Sequence, residues 1–159
     1  MQTFLPYSSF RKSMKVLDWR RLGKQRVEAK QILNILLDRT ETRGWRNHPI
    51  TKMWVGYETA LQLYFNNCVA EWIVRGYNNN MEFYDDYIEG LSIEGVPRWP
   101  EEFYSSHRAN LLRKDYEYYS QFKWREDPNE PYVWHDKEGL WYEQIVGTGE
   151  RVYLKELNE

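Results

Sequence analysis

A stretch in the first half of the chain, LDWRRLGKQRVEAKQIL, concentrates side chains that could do chemistry. On a helix, Arg21 and Glu28 lie two turns apart and point nearly the same way, with Lys24 and Gln25 between them. Nearby cations keep a carboxylate ionised, and such a carboxylate can stabilise positive charge that develops on a sugar when a glycosidic bond breaks. The alternative is an exposed helix face with ordinary salt bridges. The cations of this stretch are Arg20, Arg21, Lys24, Arg26 and Lys30.

Two further polar clusters contain residue types that suit nucleic-acid recognition. The first, HRANLLRK, can place phosphate-binding or base-reading side chains on a helix; the alternative is a surface helix held by its leucines. The second, WRNHP, precedes a helix start, where aromatic and basic side chains could stack on an extruded base or contact the DNA backbone. The candidate DNA-binding residues in these clusters are Arg46, His48, His107, Arg108, Asn110, Arg113 and Lys114.

Several other chemistries lack their sequence signals. The three histidines lie far apart and none has a metal-ligand spacing, so we expect no metal site. RRLGKQR is not a phosphate-binding Walker loop, because it lacks the preceding glycine and the following serine or threonine. No serine or cysteine nucleophile stands in a recognisable motif.

The charge distribution is uneven along a chain that fits one domain of 159 residues. Residues 1–79 hold 13 Lys and Arg against 6 Asp and Glu, whereas residues 80–159 hold 9 against 18. This asymmetry indicates a polyanion-binding surface in the first half, and the alternative is chance plus an acidic tail. A single cysteine, Cys68, and the lack of a signal-peptide or membrane-spanning pattern predict a cytoplasmic monomer that does not contact a membrane.

The elements that must position these residues are mainly helices. A serine at position 8 or 9 can cap a first helix to about residue 17, and a second covers about residues 19–37. Aromatic and apolar residues recur every three or four positions from Pro49 to Gly76, which predicts one long helix. Short helices are predicted around residues 81–88, after the serine cap in SSHRANLLRKD, and from Asp115 to Tyr119. In the last segment, LWYEQIVGTGERVYLKE, the residue pattern alternates on both sides of a glycine-rich turn, which predicts a β-hairpin.

Five co-linear motifs of the chain resemble the bacterial and phage pyrimidine-dimer DNA glycosylase family, the endonuclease V-like group. The resemblance covers about residues 1–134, and residues 135–159 with the hairpin lie beyond it. It implies a compact all-α endonuclease V-type bundle at residues 1–134 and a C-terminal β-hairpin extension at residues 135–159. The motifs are MQTFLPY, LDWRRLGKQRVEAKQIL, GWRNHPITKMWVGYETAL, SSHRANLLRKD and PYVW.

The resemblance implies DNA repair: a glycosylase with an associated abasic-site lyase, acting on duplex DNA without metal or cofactor. In the family's founding enzyme the N-terminal amine attacks C1′ of the damaged nucleotide, a glutamate assists and arginines hold phosphates. Aligned on WRRLGKQR, the glutamate of that enzyme falls on Arg21, so the carboxylate is expected at Glu28, which we prefer, or at Asp18. Gln2 is bulky and should leave Met1 in place, which makes the Met1 amine the expected nucleophile.

The function predicted from the sequence is therefore removal of a damaged or modified pyrimidine-type base by amine catalysis. In this prediction Met1 and Glu28 are catalytic, and the polar residues of HRANLLRK form the opposite wall. The phosphate clamps are Arg20, Arg21, Lys24 and Arg26. Two alternatives from other classes stay open: a non-catalytic nucleic-acid-binding module on the same scaffold, and an enzyme that acts on free nucleotides or nucleosides.

Overall fold

Helices make up most of the regular structure, and a small antiparallel sheet follows them near the C-terminus. The computed structural model describes residues 1–41, 44–85 and 96–159. The helices are α1 (Phe10–Val16), α2 (Trp19–Leu36), α3 (Pro49–Met53), α4 (Glu58–Val74), α5 (Glu101–Lys114), α6 (Tyr116–Tyr119) and α7 (Lys155–Asn158), with a 3-10 turn at Ser120–Phe122. The strands are β1 (Tyr132–His135), β2 (Trp141–Gln144) and β3 (Arg151–Tyr153). The predicted mainly α class with a small C-terminal β element is confirmed, and the endonuclease V type stays a prediction.

Side-chain caps fix the starts of four helices, among them α1, α2 and α6. The Ser9 hydroxyl accepts a hydrogen bond from the Lys12 N–H at 3.1 Å, which begins α1. The carboxylates of Asp18 and Asp115 begin α2 and α6 in the same way, because each accepts a backbone N–H three residues ahead. The predicted bounds of the first two helices are confirmed to within a residue or two.

The core lies mainly between α2 and α4, whose apolar faces pack along their length. Leu22, Ala29 and Leu33 of α2 are fully buried there, as are Leu61 and Phe65 of α4. Gly23, an unfavourable residue in a helix interior, has a packing reason. A Cβ at this position would lie 3.2 Å from the Trp72 ring, so glycine lets the indole pack directly against α2.

The predicted long helix from Pro49 to Gly76 is wrong in one respect, because the chain breaks it at residues 54–57. Gly56 adopts φ +85°, the left-handed conformation that favours glycine and ends a helical turn. Trp54 turns inward at the break, and its indole N–H donates to Thr3 Oγ1 at 3.0 Å. The aromatic periodicity continues across this break because both helices bury their apolar faces in the same core.

Two other helix predictions also differ from the structure. The helix predicted at residues 81–88 is absent from residues 81–85, and residues 86–88 lie outside the described part of the chain. Asn66 holds the backbone of Tyr84 with both ends of its amide, at 2.7 and 2.9 Å, in place of intrahelical bonds. The helix containing SSHRANLLRKD begins at Glu101 instead of at a serine, with two glutamates in its first turn.

The predicted hairpin is confirmed as β2 and β3, and β1 extends it to a three-stranded antiparallel sheet of order β1-β2-β3. Trp134 pairs with Tyr142 across β1 and β2. Both side chains belong to the buried core, and Tyr142 is only 1% exposed. Strand β1 crosses the predicted boundary between residues 134 and 135, and the division into two domains stays a prediction.

Replacing Tyr142 with alanine tests whether the sheet is part of the main core. Deleting a buried aromatic side chain costs about 3–5 kcal/mol, so we expect a loss of that size in the free energy of unfolding, measured by urea denaturation. The matched control is Val152→Ala on β3, because Val152 is exposed. Equally small losses for both variants would contradict an integrated core and favour an independent C-terminal extension.

Candidate active site

The N-terminal segment, residues 1–7, is largely buried, and side chains from distant elements accept its backbone N–H groups. The Phe4 N–H donates to Gln25 Oε1 at 2.8 Å, and the Leu5 N–H donates to His107 Nδ1 at 2.9 Å. Farther along, the Pro6 carbonyl accepts from Arg108 at 2.7 Å. These bonds fix the path of the segment and therefore the place of Met1.

Glu28 lies directly beside this segment. Its Oε2 accepts the backbone N–H of Gln2 at 3.3 Å and the side-chain amide of Gln25 at 3.2 Å. The residue after Met1 is thus bonded to the carboxylate that the sequence analysis preferred. Helix α2 supplies both residues, the buried Gln25 and, three positions later, Glu28.

A cleft of about 530 Å³ opens where Glu28 and the N-terminal segment meet. Helix α2 and its cap line one side with Asp18, Arg20, Arg21, Lys24, Gln25 and Glu28. The N-terminal segment contributes Met1, Gln2 and Phe4, and the far wall consists of Lys114, Asp115 and Tyr132. The structure therefore brings together Met1, Glu28 and four cations of the predicted site.

The cations of the cleft are close enough to repel one another. Burial lowers the pKa of Lys114, and the positive charges of Arg21, Arg113 and Lys24 lower it further. Glu28 opposes the shift because its negative charge stabilises the ammonium. Such crowding is unfavourable without an anion, so the cleft is suited to bind phosphate groups.

Asp18, the other candidate carboxylate, is engaged at the start of α2. Its side chain accepts the backbone N–H of Arg21, forms an ion pair with the Arg21 guanidinium at 3.1 Å and accepts the Tyr119 hydroxyl. Burial by itself raises the pKa of Asp18, but the hydrogen bonds from Tyr119 and Arg21 outweigh it and lower the pKa. Asp18 thereby fixes the orientation of Arg21 at the cleft.

Seven predicted DNA-binding residues lie outside the cleft lining, and three of them, Arg26, Arg46 and His48, precede the HRANLLRK segment. The Arg26 guanidinium stacks on Trp72, 4.1 Å from the ring centroid, and donates to Asn79 at 3.1 Å. The Arg46 guanidinium is exposed and lies 3.8 Å from the Asp38 carboxylate.

His48 caps α3 by accepting the Ile50 N–H at 3.1 Å. Burial and the charge of the N-terminal ammonium lower the pKa of His48 to about 4, so this histidine is neutral near the N-terminus.

Most polar residues of HRANLLRK hold the fold together. His107 is fully buried, and burial, with the charge of Arg108, lowers its pKa to about 3. Arg108 forms ion pairs with Glu126 and Glu101, both at 2.6 Å. Asn110 is fully buried and accepts a hydrogen bond from Arg113, which also donates to the Pro128 carbonyl at 2.7 Å. Only Lys114 of this cluster lines the cleft.

Five residues of the cleft lining were not among the predicted site residues: Gln2, Phe4, Gln25, Asp115 and Tyr132. Gln25 carried a usable signal, because it stands three residues before Glu28 on the same helix. Tyr132 gave none, since it reaches the cleft only through the position of β1. Burial raises the pKa of Tyr132, so its phenol stays protonated.

In a comparison with known families, the family model described as pyrimidine dimer DNA glycosylase matches residues 1–85. The chain belongs to the pyrimidine dimer DNA glycosylase family. No curated protein and no solved structure matches it. The residues that match the family include Met1, Glu28 and the α2 cations of the cleft, whereas Lys114 and Tyr132 lie beyond them.

Two further observations concern the described residues alone. No helix within residues 1–41, 44–85 and 96–159 is long and apolar enough to cross a membrane. Within the same ranges, no group of three histidine, cysteine, aspartate or glutamate side chains is placed to hold a metal ion. Cys68 is buried, and burial raises the pKa of its thiol, which disfavours a reactive thiolate.

Removing one cleft cation should weaken duplex DNA binding in a salt-dependent way. A variant that makes one phosphate contact fewer releases about one counterion fewer from DNA when it binds. Lys24→Gln should therefore reduce the magnitude of the slope of log K against log salt by about 1. Fluorescence anisotropy across a salt series measures this slope. The control is Lys137→Gln, whose side chain is 77% exposed beside Glu138 in the β1–β2 turn. Unchanged slopes for both variants would contradict phosphate binding in the cleft.

Proposed function

We propose that this family member is a DNA glycosylase that removes a damaged pyrimidine-type base from duplex DNA by amine catalysis. The observation that carries the proposal is the hydrogen bond from the Gln2 N–H to Glu28, which brings the N-terminus and a carboxylate together in a cationic cleft. An amine and a carboxylate in one cleft can carry out both halves of glycosidic bond cleavage. Membership in the pyrimidine dimer DNA glycosylase family supports the same reaction.

In the first step, the unprotonated Met1 amine attacks C1′ of the damaged nucleotide and forms a carbon–nitrogen bond. The glycosidic bond breaks, and the base leaves with the electron pair and takes up a proton. Positive charge grows on the sugar during this step, and the Glu28 carboxylate stabilises it by electrostatic attraction. Glu28 suits this role because α2 and the N-terminal segment hold it in place before the substrate binds.

In the second step, opening of the sugar ring converts the adduct into an imine between Met1 and C1′. Loss of a proton from C2′ then expels the 3′ phosphate by elimination, which cuts the strand, and water hydrolyses the imine to release the enzyme. We propose this abasic-site lyase activity as part of the same mechanism. Both steps use only the amine, the carboxylate and water.

The cations of the cleft hold the DNA during these steps. Arg20, Arg21 and Lys24 line it from α2, and Lys114 faces them from the end of α5. Phosphates on either side of the damaged nucleotide can therefore be bound from both walls. Because the guanidinium of Arg21 is held by Asp18, it is oriented before DNA arrives.

Glu28→Gln tests the role of the carboxylate. We expect a loss of roughly 100-fold in single-turnover cleavage, comparable to the loss of other groups that stabilise transition-state charge, with duplex affinity similar or tighter. The glutamine can still accept from Gln2 and Gln25, so the fold should be retained. The matched control is Glu138→Gln, which removes an exposed carboxylate outside the cleft. Duplexes that contain an abasic site or a pyrimidine dimer are the substrates.

Acetylation of the Met1 amine tests the nucleophile separately. The blocked protein should bind the same duplexes but form no covalent adduct when borohydride is present, because borohydride reduces only an imine that has formed. Equal cleavage by wild type, Glu28→Gln and the blocked protein would overturn the amine mechanism. Salt-dependent binding without any cleavage would favour the non-catalytic DNA-binding module.

A further inference from the structure

Gln25 occupies the junction between the N-terminal segment, the core and the catalytic carboxylate. Its side chain is 1% exposed, and its amide makes hydrogen bonds at both ends. Oε1 accepts the backbone N–H of Phe4 at 2.8 Å and the hydroxyl of Tyr64 at 2.5 Å. Nε2 donates to Glu28 Oε2 at 3.2 Å. Gln25 thus contacts Glu28 directly, and it contacts the N-terminal segment that carries Met1 through the backbone of Phe4.

Hydrogen-bond chemistry fixes the orientation of this amide. The Phe4 N–H can only donate, so the end of Gln25 that faces it must be the oxygen. The NH₂ end therefore points the other way, toward Glu28, which as a carboxylate can only accept. The protonated hydroxyl of Tyr64 lies 2.5 Å from the same oxygen and 2.9 Å from the Phe4 carbonyl oxygen, so its one proton is within reach of both acceptors, and burial raises its pKa.

The two carboxylate oxygens of Glu28 differ in the hydrogen bonds that they accept. Oε2 accepts two hydrogen bonds, from Gln25 Nε2 and from the Gln2 N–H. Oε1 accepts none from the side chains and backbone of residues 1–41, 44–85 and 96–159. One oxygen is therefore held by the protein, while the other is available to the sugar in the cleft.

We propose that Gln25 is a positioning residue: it orients Glu28 Oε1 toward the sugar and holds the N-terminal segment at a fixed distance from it. This inference rests on the proposed function, since it concerns the same reaction. Gln25 does not contact the substrate, and it acts through Glu28 and the backbone of Phe4. Its loss should therefore affect the chemical step more than DNA binding.

Gln25→Glu isolates the contact that matters, because it preserves side-chain shape. The introduced carboxylate can still accept from Phe4 and Tyr64, which preserves the support of the N-terminal segment. It cannot donate to Glu28 and instead places a second negative charge beside it. The variant therefore removes one donor and repels Glu28 from its place while the surrounding packing is unchanged.

The experiment measures single-turnover formation of the borohydride-trapped adduct on an abasic-site duplex, together with the Kd for that duplex. For Gln25→Glu at pH 8 we expect a rate loss on the order of 10- to 100-fold, as for other displacements of catalytic groups, and a much smaller change in Kd. The rate loss should shrink as the pH falls, because two adjacent carboxylates favour uptake of a shared proton. A protonated carboxyl can again donate to Glu28.

The matched control is Asn66→Asp, an amide-to-acid change at another buried site. Asn66 also uses both ends of its amide, to hold the backbone of Tyr84, and it lies outside the cleft lining. The Asn66→Asp variant should also lose free energy of unfolding. The ratio of its single-turnover trapping rate to that of wild type should not change with pH. This comparison separates a positioning role from a loss of stability alone.

The outcomes separate this inference from the proposed function. A Gln25→Glu rate equal to wild type, or a deficit that stays constant with pH, would overturn the positioning role, while a large loss in Glu28→Gln would leave the mechanism standing. Absence of a trapped adduct with the wild-type protein would overturn both. A pH-dependent deficit in Gln25→Glu without one in Asn66→Asp would support the inference.

Discussion

The arrangement of the whole site depends on one constraint: the N-terminal segment is buried, and its backbone N–H groups must find acceptors. An unpaired buried N–H costs about 1–3 kcal/mol, and the segment belongs to neither a helix nor the sheet. Gln25 and His107 meet this need from two helices that are far apart in the chain. The same bonds that satisfy the backbone therefore bring α2, α5 and the N-terminus to one place, and the cleft forms where they meet.

Helix α2 contributes to both the core and the cleft, because one of its faces is apolar and another is polar. Leu22, Ala29 and Leu33 pack against α4, and Gly23 admits the Trp72 ring where a larger residue would clash. Arg20, Arg21, Lys24 and Glu28 lie on a different face and line the cleft. A rigid, well-packed helix gives these polar groups fixed positions, which suits a site that must stabilise charge without rearranging.

Some basic residues of the chain bond other groups of the protein, whereas others line the cleft, and composition cannot distinguish the two groups. Arg108 and Arg113 use their guanidinium groups to bond carboxylates and backbone carbonyls of the protein itself. Lys24 and Lys114, by contrast, line the cleft, where neighbouring cations lower the pKa of Lys114. A count of basic residues therefore overestimates the DNA-binding surface, because Arg108 and Arg113 are engaged within the protein and do not line the cleft.

The sequence by itself determined the features that depend on near neighbours: a serine cap at the start of α1, the length of α2, the final hairpin, and the shared face of Arg21 and Glu28. Helical spacing and turn chemistry act over a few residues, so they can be read directly from the chain. Tertiary structure decided which carboxylate meets the N-terminal segment, where the helix after Pro49 breaks, and that His107 is a buried acceptor. Each of these rests on contacts between residues 26 to 102 positions apart, and local sequence cannot specify such contacts because their geometry comes from the packing of the whole core.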